Sequence, residues 1–456
     1  MYGKNAWNKY TGEKLNALMQ FNEEYKDFIS KCKTERECVE YSIELCKKYG
    51  FKEISEYKKL KAGDKVYVTN KNRNICAFII GDEKIEDGIN VLGAHIDSPR
   101  IDLKQNPLYE KTDMALLDTH YYGGIVKYQW VTHMLAMHGV VCKKDGTSIN
   151  VVIGEDENDP VVCITDLLPH LAADKNNKPG NKVIEGEDLD ITIGHMPLEG
   201  EEKNAVKAHA LKLLKEKYNI EEEDFVSAEI EIVPAGKARD LGIDRSMVIG
   251  YGHDDRVCAY TSLRALLDAG KCSRTTCAFL VDKEEIGSVG ATGAQSKWFE
   301  NTIAELNALM GNDSNIATRR ALTNTRMLSS DVSAAVDPLY PAVFETKNAA
   351  YLGKGICINK YTGARGKSGC NDASPEYLAQ IRNIFDSNDI NYQTAELGKV
   401  DIGGGGTIAY ILGNYNMEVV DAGIAVLSMH APNEVVSKVD VYEAYLAYMA
   451  FIKNVK

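Results

Sequence analysis

A chain of 456 residues is too long for one ordinary hydrophobic core and predicts two or three domains. With 44% hydrophobic and 26% charged residues it has the composition of a soluble globular protein, and no apolar run reaches bilayer length. The net charge of -13 argues against nucleic acid as a partner, because a phosphate backbone would be repelled. The N-terminal stretch "MYGKNAWNKYTGEKLNALMQ" has no apolar signal core. Two helices are predicted next, one around Leu15–Ile29 and one opened by the capping box Thr34-x-x-Glu37 and stopped near Gly50. Three strands follow, "KVYVT", "ICAFIIG" and "INVLGAHI". The last two are continuously apolar, as strands covered on both faces should be.

Beyond Asp102 the texture changes to loops and short β-rich runs: "INVVIGE", "VVCITDLL" and "FVSAEIEIV". One amphipathic helix, "VKAHALKLLKEKY", lies among them, separated by acidic, turn-rich stretches. We read this as a second domain inserted into the first, with boundaries at 1–103, 104–245 and 246–456. The alternation of strand and helix then resumes with "SMVIGYG", "VCAYTSLRALLDAG", "TTCAFLVD" and a helix around "SKWFENTIAELNALM". "GICINK" and "GIAVLSM" are further strands, and "VYEAYLAYMAFIKN" is a closing helix. The expected fold class is α/β, a mixed and largely parallel sheet sandwiched by helices, with a β-rich insertion. The eleven cysteines include no C-x-x-C and read as reduced thiols, so the expected location is cytoplasmic, without a membrane partner.

In open α/β sheets, sites form beyond the carboxyl ends of strands. Five places there carry ionisable residues: His95 and Asp97 in "GAHID", Asp254 and Asp255 in "GYGHDDRV", Glu284 and Glu285 in "FLVDKEEIGS", Asp331 in "MLSSDV", and His430 in "SMHAPNE". Each alone has a plain structural explanation. A lone Asp after a strand is usually a turn or cap residue, and His95 with Asp97 equally suits a hydrogen-bonded core pair. Adjacent carboxylates after an apolar strand repel unless a cation offsets them. Two His, two Asp and one Glu suit a pair of zinc ions, leaving the second Glu free for proton transfer.

The ordered set "HID…DD…EEIGS…SD…MH" resembles the aspartyl aminopeptidase and vacuolar aminopeptidase I family of co-catalytic zinc aminopeptidases. The resemblance covers nearly the whole chain, including the insertion and its "LLPHLA" segment. It implies two zinc ions per subunit, replaceable by manganese or cobalt. His95 and Asp331 would hold separate metals, shared with Glu285 and His430, with Asp254 bridging. Glu284 would be the general base for a zinc-activated water, and Asp97 would orient His95. It further implies that the insertion is a dimerisation domain which sends His170 into the neighbouring subunit's site, and that dimers build a larger shell, commonly a dodecamer. The substrate would be a peptide that loses its N-terminal residue. A related zinc carboxypeptidase, an amide deacylase, or a noncatalytic assembly protein on the same fold are the alternatives. An intact Glu284 speaks against the last. Asp255 departs from relatives with Asp-Asn here, and is expected either to pair with Arg256 or to add charge near the metals.

Two stretches look like sites of another kind. "YTGARGKSG" ends like a phosphate-binding loop, but Tyr361 stands where its first glycine belongs, so Lys360, Arg365 and Lys367 read as a solvated or substrate-facing loop. "DIGGGGTIAYILG" reads either as an anion-binding nest at a helix start or as a plain tight turn, and the resemblance implies that this glycine-rich turn lies beside the substrate pocket.

Overall fold

The computed structural model describes residues 4–455. It contains two compact units. The first runs to Asp97, resumes over Ala238–Met429 and closes from Glu434; the second comprises Ser98–Lys237 with His430–Asn433. These limits differ from those expected at 104 and 245. Lys104 lies inside an unbroken strand, Arg100–Lys111, and Arg239–Leu241 pairs with Met247–Gly250 in a sheet of the first unit.

The first unit is built on a nine-stranded mixed sheet. Its centre is four parallel neighbours in the order Thr276–Val281, Asn90–His95, Arg326–Ser329 and Glu418–Gly423. Successive side chains of a strand point to opposite faces, and here the apolar runs divide accordingly. Leu92, Ala94, Ala278, Leu280 and Leu328 enter a core shared with the helices Gly12–Lys31, Glu35–Lys48, His253–Asp268, Pro375–Ser387 and Lys438–Asn454. Val91, Cys277, Phe279, Val281 and Met327 enter a second core with the helices Trp298–Leu309, Asn315–Thr323 and Ala409–Gly413. Both faces are therefore covered, which is why these strands read as unbroken apolar runs. The Thr34 capping box is formed: the hydroxyl accepts the Glu37 N–H, and the Glu37 carboxylate accepts the N–H of Thr34.

A five-stranded sheet also belongs to the first unit, and "SMVIGYG" and "GIAVLSM" fall in it rather than in the central sheet. The strand Glu418–Gly423 and the helix Pro375–Ser387 were not foreseen. No helix among the described residues is long and apolar enough to cross a membrane.

The second unit is a six-stranded antiparallel sheet with the helix Ala205–Tyr218. Its fully buried side chains include Trp130, Leu117, Leu135 and Ile232. "VVCITDLL" is not a strand. Strand Leu135–Cys142 already has Ala228–Pro234 on one side and Ser148–Ile153 on the other, and the stretch makes two isolated bridges, Val162 to Leu135 and Cys163 to Thr192.

Candidate metal centre

The parallel strands end at one edge of the sheet, and there the side chains of the first unit converge. His95 is the last residue of its strand and is 2% exposed. Its Nε2 lies 3.1 Å from an Asp254 carboxylate oxygen and 4.0 Å from one of Asp331. Its Nδ1 faces the carbonyl oxygen of Asp97 at 2.9 Å and the Asp97 carboxylate at 3.2 Å. Two sets of potential ligand atoms each lie within 4.8 Å of one another: His95, Asp254 and Glu285, and His95, Glu284 and Asp331.

Local structure explains how each residue reaches this point. Asp254 and Asp255 sit at the head of the segment His253–Asp268 with non-helical torsions, and the peptide between them is cis. Glu284 opens a single 3-10 turn, Glu284–Ile286, between Lys283 and Gly287, both left-handed. Asp97 grips that turn, its two oxygens accepting the N–H groups of Glu284 at 3.0 Å and Glu285 at 3.1 Å. Asp331 follows strand Arg326–Ser329. A Cβ on Gly423 would lie 1.8 Å from the Asp331 carbonyl oxygen, so only glycine permits this close approach.

The electrostatics are those of crowded acids. Burial pushes the Asp331 carboxyl well above its ordinary range, and the neighbouring Asp255 adds to this. Asp255 is raised for the same reasons, burial first and then Asp254, although His95 opposes the shift. Burial works against a charged His95 imidazole, but hydrogen bonds to Asp254 and Asp97 outweigh it and raise its pKa. One imidazole among four carboxylates is a donor set short of positive charge, which a divalent cation supplies. The residues therefore fit zinc.

Of the two roles expected for it, Asp255 does not pair with Arg256 but does place an acid beside Asp254 and Asp331. Its Oδ2 accepts the backbone N–H of His95 at 3.3 Å. Arg256 donates to the carbonyl oxygens of Ile96 at 3.1 Å and Lys33 at 2.9 Å. Asp97 holds the Glu284 turn as well as facing His95, a task its spacing from His95 did not announce. Glu434, which accepts the Asp254 N–H at 2.9 Å, was also missed. Its only signal was its place four residues after His430 in "MHAPNE".

His430 belongs to the second unit and to neither convergent set. It has a left-handed backbone, and its Nδ1 donates to the Gly124 carbonyl oxygen at 2.8 Å, which leaves Nε2 as the lone-pair nitrogen. His170, also in the second unit, is exposed beside exposed Leu167, Leu168 and Leu171. Lys360 and Lys367 both pair with Asp372 on the surface, and Arg365 and Lys367 line a cavity of about 200 Å³ with Tyr361 and Glu396. No helix follows Lys367 directly, so a phosphate loop is absent there.

Residues 28–452 match the model of the aminopeptidase I zinc metalloprotease family, M18. A probable M18 family aminopeptidase 1 from Clostridium acetobutylicum is 59% identical, over 99% of this chain and 98% of that one. The crystal structure of an M18 aminopeptidase from Thermotoga maritima superposes with a TM-score of 0.96 at 44% identity, over 99% of both chains. A more distant structure, the mApe1 dodecamer of S. cerevisiae, shares the fold with a TM-score of 0.77 at 21% identity, over 96% of this chain and 97% of that one. The chain belongs to the M18 aminopeptidase I family of zinc metalloproteases and is a metalloaminopeptidase.

Proposed function

We propose that the chain hydrolyses the N-terminal residue from peptides with two divalent metal ions, zinc being the family's metal. His95, Asp254 and Glu285 would hold one ion; Asp331 would hold the other, with Asp254 shared, and the family resemblance adds His430 as a further ligand. The convergence of His95 with Asp254, Glu285, Glu284 and Asp331 supports this reading. When bound, the metals lower the pKa of water and polarise the scissile carbonyl.

This chain's residues supply the rest. Glu284 takes a proton from the attacking water and returns it to the leaving amine. Its place on a turn gripped by Asp97 keeps the carboxylate at the site without a long flexible tether. His95 presents Nε2 because Nδ1 is engaged by Asp97, and outer partners of this kind set both the tautomer and the ring angle. Chelation is expected to abolish release of N-terminal residues from aminoacyl substrates, and added zinc, manganese or cobalt to restore it. Full activity in demetallated protein would end this reading.

The working enzyme is a homo-oligomer of dimers, as the resemblance suggests and in keeping with the dodecamer of the distant S. cerevisiae mApe1. In it His170 acts on the partner's site, where a donor near the developing oxyanion stabilises it. Exposure of His170 among exposed leucines is what a contact surface needs. Mixing His170→Ala with Glu284→Gln subunits gives one intact composite site per mixed dimer, so random pairing should recover about a quarter of the activity. Recovery no greater than the sum of the separate mutants, with mixed dimers verified by mass, excludes action in trans.

A further inference from the structure

Asp254 and Asp255 lie in the first turn of their helix, where backbone N–H groups have no partner within a helix, and their torsions are non-helical. Two side chains from elsewhere in the first unit, Tyr25 and Glu434, and one of the segment's own, Asp255, take over. Tyr25, from the helix Gly12–Lys31, donates its hydroxyl to Nδ1 of buried His253 at 2.5 Å. Asp255 accepts the N–H of His95 at 3.3 Å and so ties the segment to the neighbouring strand. Glu434 accepts the N–H of Asp254 itself at 2.9 Å. Glu434 is 1% exposed. It opens the strand Glu434–Ser437, whose register places it opposite Gly250, four residues before Asp254.

We infer that Glu434 is a positioning residue for the metal centre, fixing the main chain of Asp254 so that its carboxylate is held ready to bridge. The inference rests on Asp254 being a metal ligand. An acceptor oxygen at the right reach ties the N–H of Asp254 in place, and a buried side chain at a strand end has little freedom to wander. Loss of the restraint lets the Asp254 main chain move, and the cost is read in metal affinity rather than in substrate binding. Partners behind metal ligands typically change metal affinity about 10- to 100-fold.

Three variants separate the hydrogen bond from the charge. Glu434→Gln keeps an oxygen at the same reach without the charge. Glu434→Asp keeps the charge but withdraws it by one methylene, and Glu434→Leu removes both. The readouts are the zinc dissociation constant by competition with a chelator, the thermal midpoint of the metal-free proteins, and KM and kcat at saturating zinc. The expected result is affinity within about threefold of wild type for Gln, a loss of roughly 10- to 100-fold for Asp and Leu, and unchanged KM. If the Leu protein does not fold, the Gln and Asp pair decides. Affinity near wild type in the Asp protein, or an equal loss in Gln and Asp, would overturn the role of Glu434. Wild-type protein that binds no zinc would overturn both this inference and the metal reading, so the two failures are told apart.

Discussion

Asp97 and Asp440 use the same device in two places. Both are fully buried, and each carboxylate oxygen accepts one backbone N–H. For Asp97 the donors are Glu284 and Glu285; for Asp440, in the first turn of helix Lys438–Asn454, they are Gly353 and Gly355, each at 2.7 Å. Around Asp97 stand His95, Asp254, Asp331 and the Glu284–Glu285 pair, a cluster whose charge a cation would offset. Around Asp440 the charges of Glu443 and Lys354 act with opposite signs, and burial pushes its carboxyl up to about 7. A buried acid that grips two N–H groups is a structural staple; it becomes part of a metal centre only where other acids and an imidazole crowd beside it.

Substitutions sharpen that contrast. The largest effect is expected at the metal end itself. Glu284→Gln should lower turnover about 10²–10⁴-fold while metal content stays near wild type. Elemental analysis with steady-state kinetics checks this, and near-normal turnover in metal-loaded protein would remove Glu284 as the base.

Asp97→Asn places an NH2 group against one of the two N–H donors, loosening the Glu284 turn. Metal affinity should fall roughly 10- to 100-fold. The matching change Asp440→Asn should leave metal affinity unaltered. Equal effects of the two on a chelator titration would erase the distinction between them.

The smallest expected effect separates the two by pH. The Asp440 carboxyl has a folded pKa of about 7 against an ordinary 3.8. Between those values the folded protein keeps a proton that the unfolded chain has lost, so stability falls as pH rises, by about 1.4 kcal/mol per unit. From pH 5 to 7 this costs wild type about 2 kcal/mol that Asp440→Asn does not pay. Denaturant unfolding at the two pH values measures it, and parallel slopes for both proteins would refute the assignment.

His253 shows the limit of reading sites from residue type. It adjoins Asp254, yet burial pushes its pKa down to about 3 and Tyr25 occupies its Nδ1. It is a neutral brace in a stretch, "GHDD", where sequence alone gave no ground for separating brace from ligand.

The strands around His95 were legible because a sheet covered on both faces demands uninterrupted apolar runs, and the acidic residues stood out where those runs stop. The paired glutamates and the order of the five places carried the family resemblance. Side-chain chemistry and local periodicity suffice for such features, since each depends on neighbours in the chain. Glu434 reaching Asp254, Asp255 reaching the N–H of His95, and Asp97 reaching two N–H groups in a turn nearly two hundred residues away lay beyond the sequence. Those contacts are set by strand order and register, which bring Asn90–His95 beside Thr276–Val281 and Glu434 opposite Gly250. A carboxylate in a sequence carries its charge openly, but which N–H it will accept depends on partners that only the folded sheet brings within 3 Å or so.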